Sequence, residues 1–189
     1  MLEINPSELE KYIEDGTKAR RSISIKDVTN VSKILFDRLK EGGKLISFCN
    51  GDSAADAQHF AAELSERFLR ERRAYTAIAL STNTSSLTAI ENDYDYSRVF
   101  SRQIEGICIR NDYVVGIRTS GNSQNVINGV RKAKEIGSYT LALTGMDGGK
   151  LRDDVDHCIR VKSNITLVIQ EVHITIIHMI CYSFDGMLE

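Results

Sequence analysis

Proline is almost missing from this 189-residue chain, which carries only Pro6. With no low-complexity linker and no break in composition, nothing marks a boundary between domains. The chain reads as one domain over 1–189, long enough to bury a full core. Cysteine is scarce as well. Cys49, Cys108, Cys158 and Cys181 stand far apart with no CxxC pair. That excludes a zinc knuckle and a disulfide framework, and suits buried thiols in a reducing cytoplasm. Charge of one sign is also lacking: 24 basic residues face 26 acidic ones, for a net charge of −2. No basic footprint for nucleic acid is present, so an anionic ligand has to be gripped locally. No uncharged apolar run approaches the roughly 20 residues of a membrane span. MLEINPSELEKYIEDG at the start has neither a basic region nor an apolar core of the secretory kind. Neither a membrane nor a nucleic acid is an expected partner, and a cytoplasmic location is expected.

What the chain does have is order. The first 41 residues read as two helices. Asn5 can cap the first, Pro6 suits its first turn, and Glu8 sits where a capping-box acid belongs. Val28, Val31, Ile34, Leu35 and Leu39 then recur at helical spacing over 23–39, and Gly42-Gly43 stops the pattern. Over 42–189 the period changes. Short apolar runs (KLISFC, AYTAIAL, YVVGIRT, YTLALT, HCIRV) alternate with helical stretches at 53–71, 96–109 and 123–136. Such alternation predicts a three-layer α/β/α domain on a five-stranded parallel sheet. The last segment, 164–188, is apolar almost all round, as a helix buried in a core or a subunit interface would be. Helix-mediated oligomerisation follows as an expectation.

Two loops carry the chemistry. Asn50-Gly51-Asp52-Ser53 and Arg118-Thr119-Ser120-Gly121-Asn122-Ser123 each follow a predicted strand and open a helix. Backbone N–H groups and hydroxyls gathered at a helix N-terminus suit a small anion such as phosphate. In open α/β sheets both loops fall on the ligand side. Serine and asparagine are also ordinary helix caps, so either loop alone could be only a turn. On the helix from Ser53, the spacing i, i+4, i+8 places His59, Glu63 and Arg67 on one stripe. A histidine and a glutamate one turn apart can share a metal ion, although such pairs are frequent on solvated helix faces. Gln170 and His178, polar groups in an otherwise apolar helix, need partners. His173 reads as a core or surface histidine.

The segments DAQHFAAEL, TSGNSQNV, LTGMDGGK, AIENDYDYSRVFSRQ and IQEVHITIIHMI together resemble the sedoheptulose 7-phosphate isomerase (phosphoheptose isomerase) family, over about residues 30–182. The resemblance implies a sugar-isomerase (SIS) domain with a flavodoxin-like sheet. It implies zinc held by His59, Glu63, Gln170 and His178, with Glu63 and His178 as the acid–base pair. Substrate contacts are implied at Asn50, Gly51, Ser53, Glu63, Arg67, Asn92, Asp93, Thr119, Ser120, Ser123 and Gln170, with Asp52 and Arg118 in the same loops. The implied reaction converts D-sedoheptulose 7-phosphate to D-glycero-D-manno-heptose 7-phosphate for bacterial lipopolysaccharide or capsule, in a homotetramer. A different sugar phosphate, or a non-catalytic SIS protein such as a replication-initiator-associated factor, are the alternatives. Four metal-compatible groups speak for the enzyme.

Several positions depart from the family pattern: Cys49, Asp52, Glu66, Asn83, Asp95, Arg118 and Val168. Asp52 and Arg118, of opposite charge in neighbouring loops, read equally as a compensating pair or as two solvent-facing residues that drifted independently. One further expectation concerns assembly. Eight residues of helix separate Gln170 from His178 by about 12 Å of rise. Either the helix starts after Gln170 or ligands from different chains meet at one zinc, and sites shared between chains are the expectation.

Overall fold

The structure, a computed structural model, describes residues 5–188. Helix α1 (Pro6–Arg21) starts where Asn5 Oδ1 accepts the Ser7 N–H at 3.1 Å. Helix α2 (Ile25–Lys40) starts two residues later than its apolar pattern, because Ser24 Oγ caps Asp27 N–H at 3.2 Å. The α/β part follows as β1 (Leu45–Phe48), α3 (Ser53–Ser65), β2 (Ala77–Ala79), α4 (Thr84–Asp93), a 3₁₀ turn (Tyr96–Arg98) and α5 (Val99–Ile107). Then come β3 (Tyr113–Arg118), α6 (Gln124–Ile136), β4 (Tyr139–Gly145), α7 (Leu151–Asp154), β5 (His157–Val161) and α8 (Thr166–Gly186).

All five strands pair in parallel, in the order β2-β1-β3-β4-β5. This is the flavodoxin-like order, with its switch point between β1 and β3. One core packs α2, α3 and α8 on one face of the sheet, through Leu35, Phe60, Ile176 and Phe184 among others. The second packs α5 and α6 on the other face, through Phe100, Ile104, Val126 and Val130. Each face is therefore covered, and β1 is buried at all four positions.

By length and composition alone α8 could cross a membrane, which the sequence reading did not expect. Its contacts assign it otherwise: it packs against α1, α2, α3 and β4, and is a core helix. His173 points into this core and is fully buried, and neither ring nitrogen has a hydrogen-bond partner among the described residues. Burial pulls its pKa down to about 4, so the ring stays neutral at pH 7. It is a core histidine.

Two elements differ from expectation in ways that matter for the site. Helix α3 ends at Ser65 rather than continuing to 71, since Glu66 leaves helical geometry at φ −101°, ψ −112°. Helix α4 was not anticipated. None of its residues is buried, so it leaves no apolar stripe to read. Asn83 and Asp95, two of the unusual positions, have local roles. Asn83 Oδ1 caps α4 through Ser86 N–H at 3.0 Å, and Asp95 Oδ1 caps the 3₁₀ turn through Ser97 N–H at 2.6 Å. Those bonds to Ser97 hold the Asp95 carboxyl below its usual pKa. Asp52 (φ −61°) and Glu66 need no glycine, because their backbones lie on the negative-φ side.

Candidate active site

The carboxyl ends of β1 and β3 open at the switch point, where the two predicted loops meet. Asn50 and Asn125 exchange amide hydrogen bonds of 2.9 and 2.7 Å across it, and the Tyr96 hydroxyl donates to Asn50 Oδ1 at 3.1 Å. These bonds tie the β1 loop to the first turn of α6. Ser123 stands at the α6 N-cap with its side chain not bonded to the helix, and Thr119 is buried beneath. Ser120 Oγ accepts from Asn122 N–H at 3.4 Å. The loop is braced from behind by the loop after β4. Gly121 (φ +64°) lies so close to Gly148 that a Cβ at 121 would stand 1.9 Å from its carbonyl oxygen, and only glycine fits.

One face of α3 continues the site. At its start Ser53 Oγ accepts from the Gln170 amide of α8 at 3.3 Å. At its other end His59 Nε2 lies 3.0 Å from Glu63 Oε1 and 3.0 Å from His178 Nε2. One ligand atom from each of the three falls within 4.8 Å of the others. His178 is therefore brought to His59 of its own chain. Helix α8 starts at Thr166, before Gln170, so the alternative of a later start is excluded. Within one chain, α3 and α8 bring three of the four expected ligands together. Gln170 of the same chain serves the Ser53 end of α3.

Two imidazole nitrogens and a carboxylate oxygen form a donor set that suits catalytic zinc. Tetrahedral ligands at about 2.1 Å stand about 3.4 Å apart, close to the spacings here. Glu63 is the better sheltered partner, with its side chain 22% exposed against 41% for His59.

Asp56 belongs to the same face and was missed. Its signal was in the sequence, because it lies three residues after Ser53 and three before His59. Desolvation pushes its carboxyl up to about 6, with the nearby His59 pulling the other way. Cys49, at the end of β1, is buried and its thiol is pushed up to about 11, so it stays protonated.

The remaining expected residues are placed as follows. Arg67, beyond the end of α3, leaves the His59–Glu63 stripe and is half exposed, 3.8 Å from Glu71. Asn92 and Asp93, at the end of α4, are exposed and hydrogen-bond each other at 3.0 Å. Gly51 and Asp52 are exposed in the β1 loop. Among the described residues no ion pair within 4 Å joins Asp52 and Arg118. Arg118 is partly buried, and its Nε lacks a hydrogen-bond partner. A separate cleft of about 610 Å³ between β2, α4 and α5 contains none of these residues, and its one charged side chain, Arg102, is tied to Glu105 at 2.9 Å.

Comparison with known proteins gives the chain its family. Residues 11–145 match the family described as SIS domain. A probable phosphoheptose isomerase of Thermoplasma acidophilum is 52% identical over 175 residues, 93% of this chain and 96% of that one. The phosphoheptose isomerase of Aliarcobacter butzleri is 52% identical over 158 residues, 84% of each chain. Among solved structures, a phosphoheptose isomerase from Neisseria gonorrhoeae superimposes with a TM-score of 0.89 at 37% identity, over 96% of this chain and 98% of that one. The chain belongs to the phosphoheptose isomerase family of SIS-domain sugar-phosphate isomerases.

Proposed function

We propose that this chain is a zinc-dependent aldose–ketose isomerase that converts D-sedoheptulose 7-phosphate to D-glycero-D-manno-heptose 7-phosphate. The product would feed heptose into a surface polysaccharide, and the enzyme would work in the cytoplasm as a homotetramer. The observation that carries this reading is the meeting of His59, Glu63 and His178 on the ligand side of the sheet, where the loops after β1 and β3 open. Exposed apolar side chains on α1 (Leu9, Ile13) and α8 (Leu167, Tyr182) support assembly through helices.

The reaction moves one proton between adjacent carbons through an enediol, so it needs two placed acid–base groups. Glu63 Oε1 faces His59, which leaves its second oxygen to take the proton. His178, on the opposing helix, would deliver one to the neighbouring carbon or to its oxygen through Nδ1, since its Nε2 is turned to His59 and the metal position. Zinc, when bound by His59, Glu63 and His178, supplies Lewis-acid stabilisation of the developing oxyanion. The loop at 119–123 and the free first turn of α6 receive the phosphate. Asn50, fixed by Asn125 and Tyr96, holds the sugar end of the loop in place.

Incubation with sedoheptulose 7-phosphate, with product identified by a coupled kinase assay and mass spectrometry, tests the reading. Zinc-dependent conversion to the aldoheptose phosphate is the expected result. Turnover of a shorter ketose phosphate but not of the heptulose would assign a different substrate, and binding without turnover of any would assign a non-catalytic role.

A further inference from the structure

Eleven residues between α3 and β2, 66–76, contain neither helix nor strand, yet they begin three residues after Glu63 and carry Arg67. Their anchor is a single buried ion pair. Arg72 Nε donates to Asp185 Oδ1 at 3.1 Å, and both side chains are only 4% exposed. The rest of the guanidinium turns back onto the end of α3. Arg72 Nη2 donates to the Glu63 carbonyl at 2.6 Å, and Nη1 donates to the carbonyls of Leu64 at 2.9 Å and Glu66 at 3.2 Å. These are carbonyls that a helix end leaves without partners. The guanidinium also lies 5.5 and 5.7 Å from the ring centroids of Tyr75 and Phe184. Asp185 completes the arrangement from α8. Its Oδ2 accepts the N–H groups of Leu69 at 2.8 Å and Arg70 at 3.0 Å.

We propose that Arg72 and Asp185 are positioning residues that hold the catalytic end of α3 in register with α8, setting Glu63 against His178. Asp185 lies two turns beyond His178 on the same helix, and Arg72 grips the backbone of Glu63 itself. The pair therefore spans the two elements that carry the acid–base groups. It also explains why α3 stops where it does, which its own sequence does not. This inference rests on the reading of Glu63 and His178 as the proton-transfer pair.

The molecule supplies its own control. Asp112 likewise accepts two backbone N–H groups, from Lys44 at 3.0 Å and Ile109 at 2.8 Å, and pairs with Lys44 Nζ at 2.6 Å. That second clamp lies at the amino ends of β1 and β3, away from the site. Arg72→Lys keeps the charge but cannot bridge several carbonyls, Asp185→Asn keeps the shape, and Asp112→Asn breaks the control. Each is assayed below its own melting temperature. A small misplacement of reacting groups costs about 10- to 100-fold in rate. Arg72→Lys and Asp185→Asn should lower kcat by that amount, with KM within about threefold, and shift the acidic limb of the kcat–pH profile. Hydrogen exchange over 59–67 should quicken in both. Asp112→Asn should melt earlier but keep kcat and the exchange pattern of 59–67. Should Asp185→Asn fail to fold, Arg72→Lys carries the same test. Folded Arg72→Lys with wild-type kcat, or with wild-type protection over 59–67, would overturn the proposal. A wild-type protein that isomerises no sugar phosphate would instead refute the acid–base reading, and the exchange data would still decide the clamp.

Discussion

Glu63→Gln should leave the fold intact and lower kcat by about 10²- to 10⁴-fold, the range expected when one general acid–base group is removed. Glu63 is the sheltered member of the trio, its Oε1 is 3.0 Å from His59, and its side chain is not part of either core. Glutamine keeps the volume and one oxygen but cannot accept the substrate proton. His178→Gln should cause a loss of similar size, because the second proton transfer fails instead. Stopped assays of purified variants, together with deuterium uptake from D₂O at the carbon next to the carbonyl, separate the two. Glu63→Gln should block uptake, whereas His178→Gln should allow exchange without isomerisation. A Glu63→Gln enzyme with wild-type turnover would remove this residue from the chemistry.

Chelation should have an effect of the same order. Two imidazoles and a carboxylate with donor atoms within 4.8 Å form a site ready for a divalent ion. If zinc stabilises the enediol oxygen as proposed, removing it should lower activity by at least about 100-fold. One equivalent of zinc per chain should restore it, and magnesium should not, since it prefers an all-oxygen shell. Metal analysis of the dialysed protein and a zinc titration followed by activity provide the check. Full turnover in rigorously metal-free protein would refute the metal's role while leaving the fold untouched.

How much of this was legible in the sequence depends on where each cause lies. The sheet was legible because its strands are buried on both faces and read as short apolar runs, LISF most clearly. The end of α3 was not legible. Its last carbonyls are capped by Arg72, which is held by Asp185, a contact between residues 113 apart. That misreading put Arg67 on the His59–Glu63 stripe, from which the observed chain turns away. Helix α4 was hidden because it buries nothing, and its one side-chain cap comes from Asn83 at the N-terminus. Within the site, the one-turn spacing of His59 and Glu63 was visible, but their meeting with His178 depends on how α3 and α8 pack. Asp52 and Arg118 could be paired on charge alone, and among the described residues no ion pair within 4 Å joins them.

The central claim is that α3 and α8 of a single chain assemble the catalytic trio. It is tested most directly by unfolding, mixing and refolding two inactive variants, His59→Ala and His178→Ala, and assaying the hybrid oligomers. With both histidines of each trio on one chain, every site in a hybrid lacks one of them, and activity should stay at the level of the separate variants. Recovery toward a quarter or more of wild-type activity, roughly what random pairing of chains restores when sites are shared between them, would contradict the account.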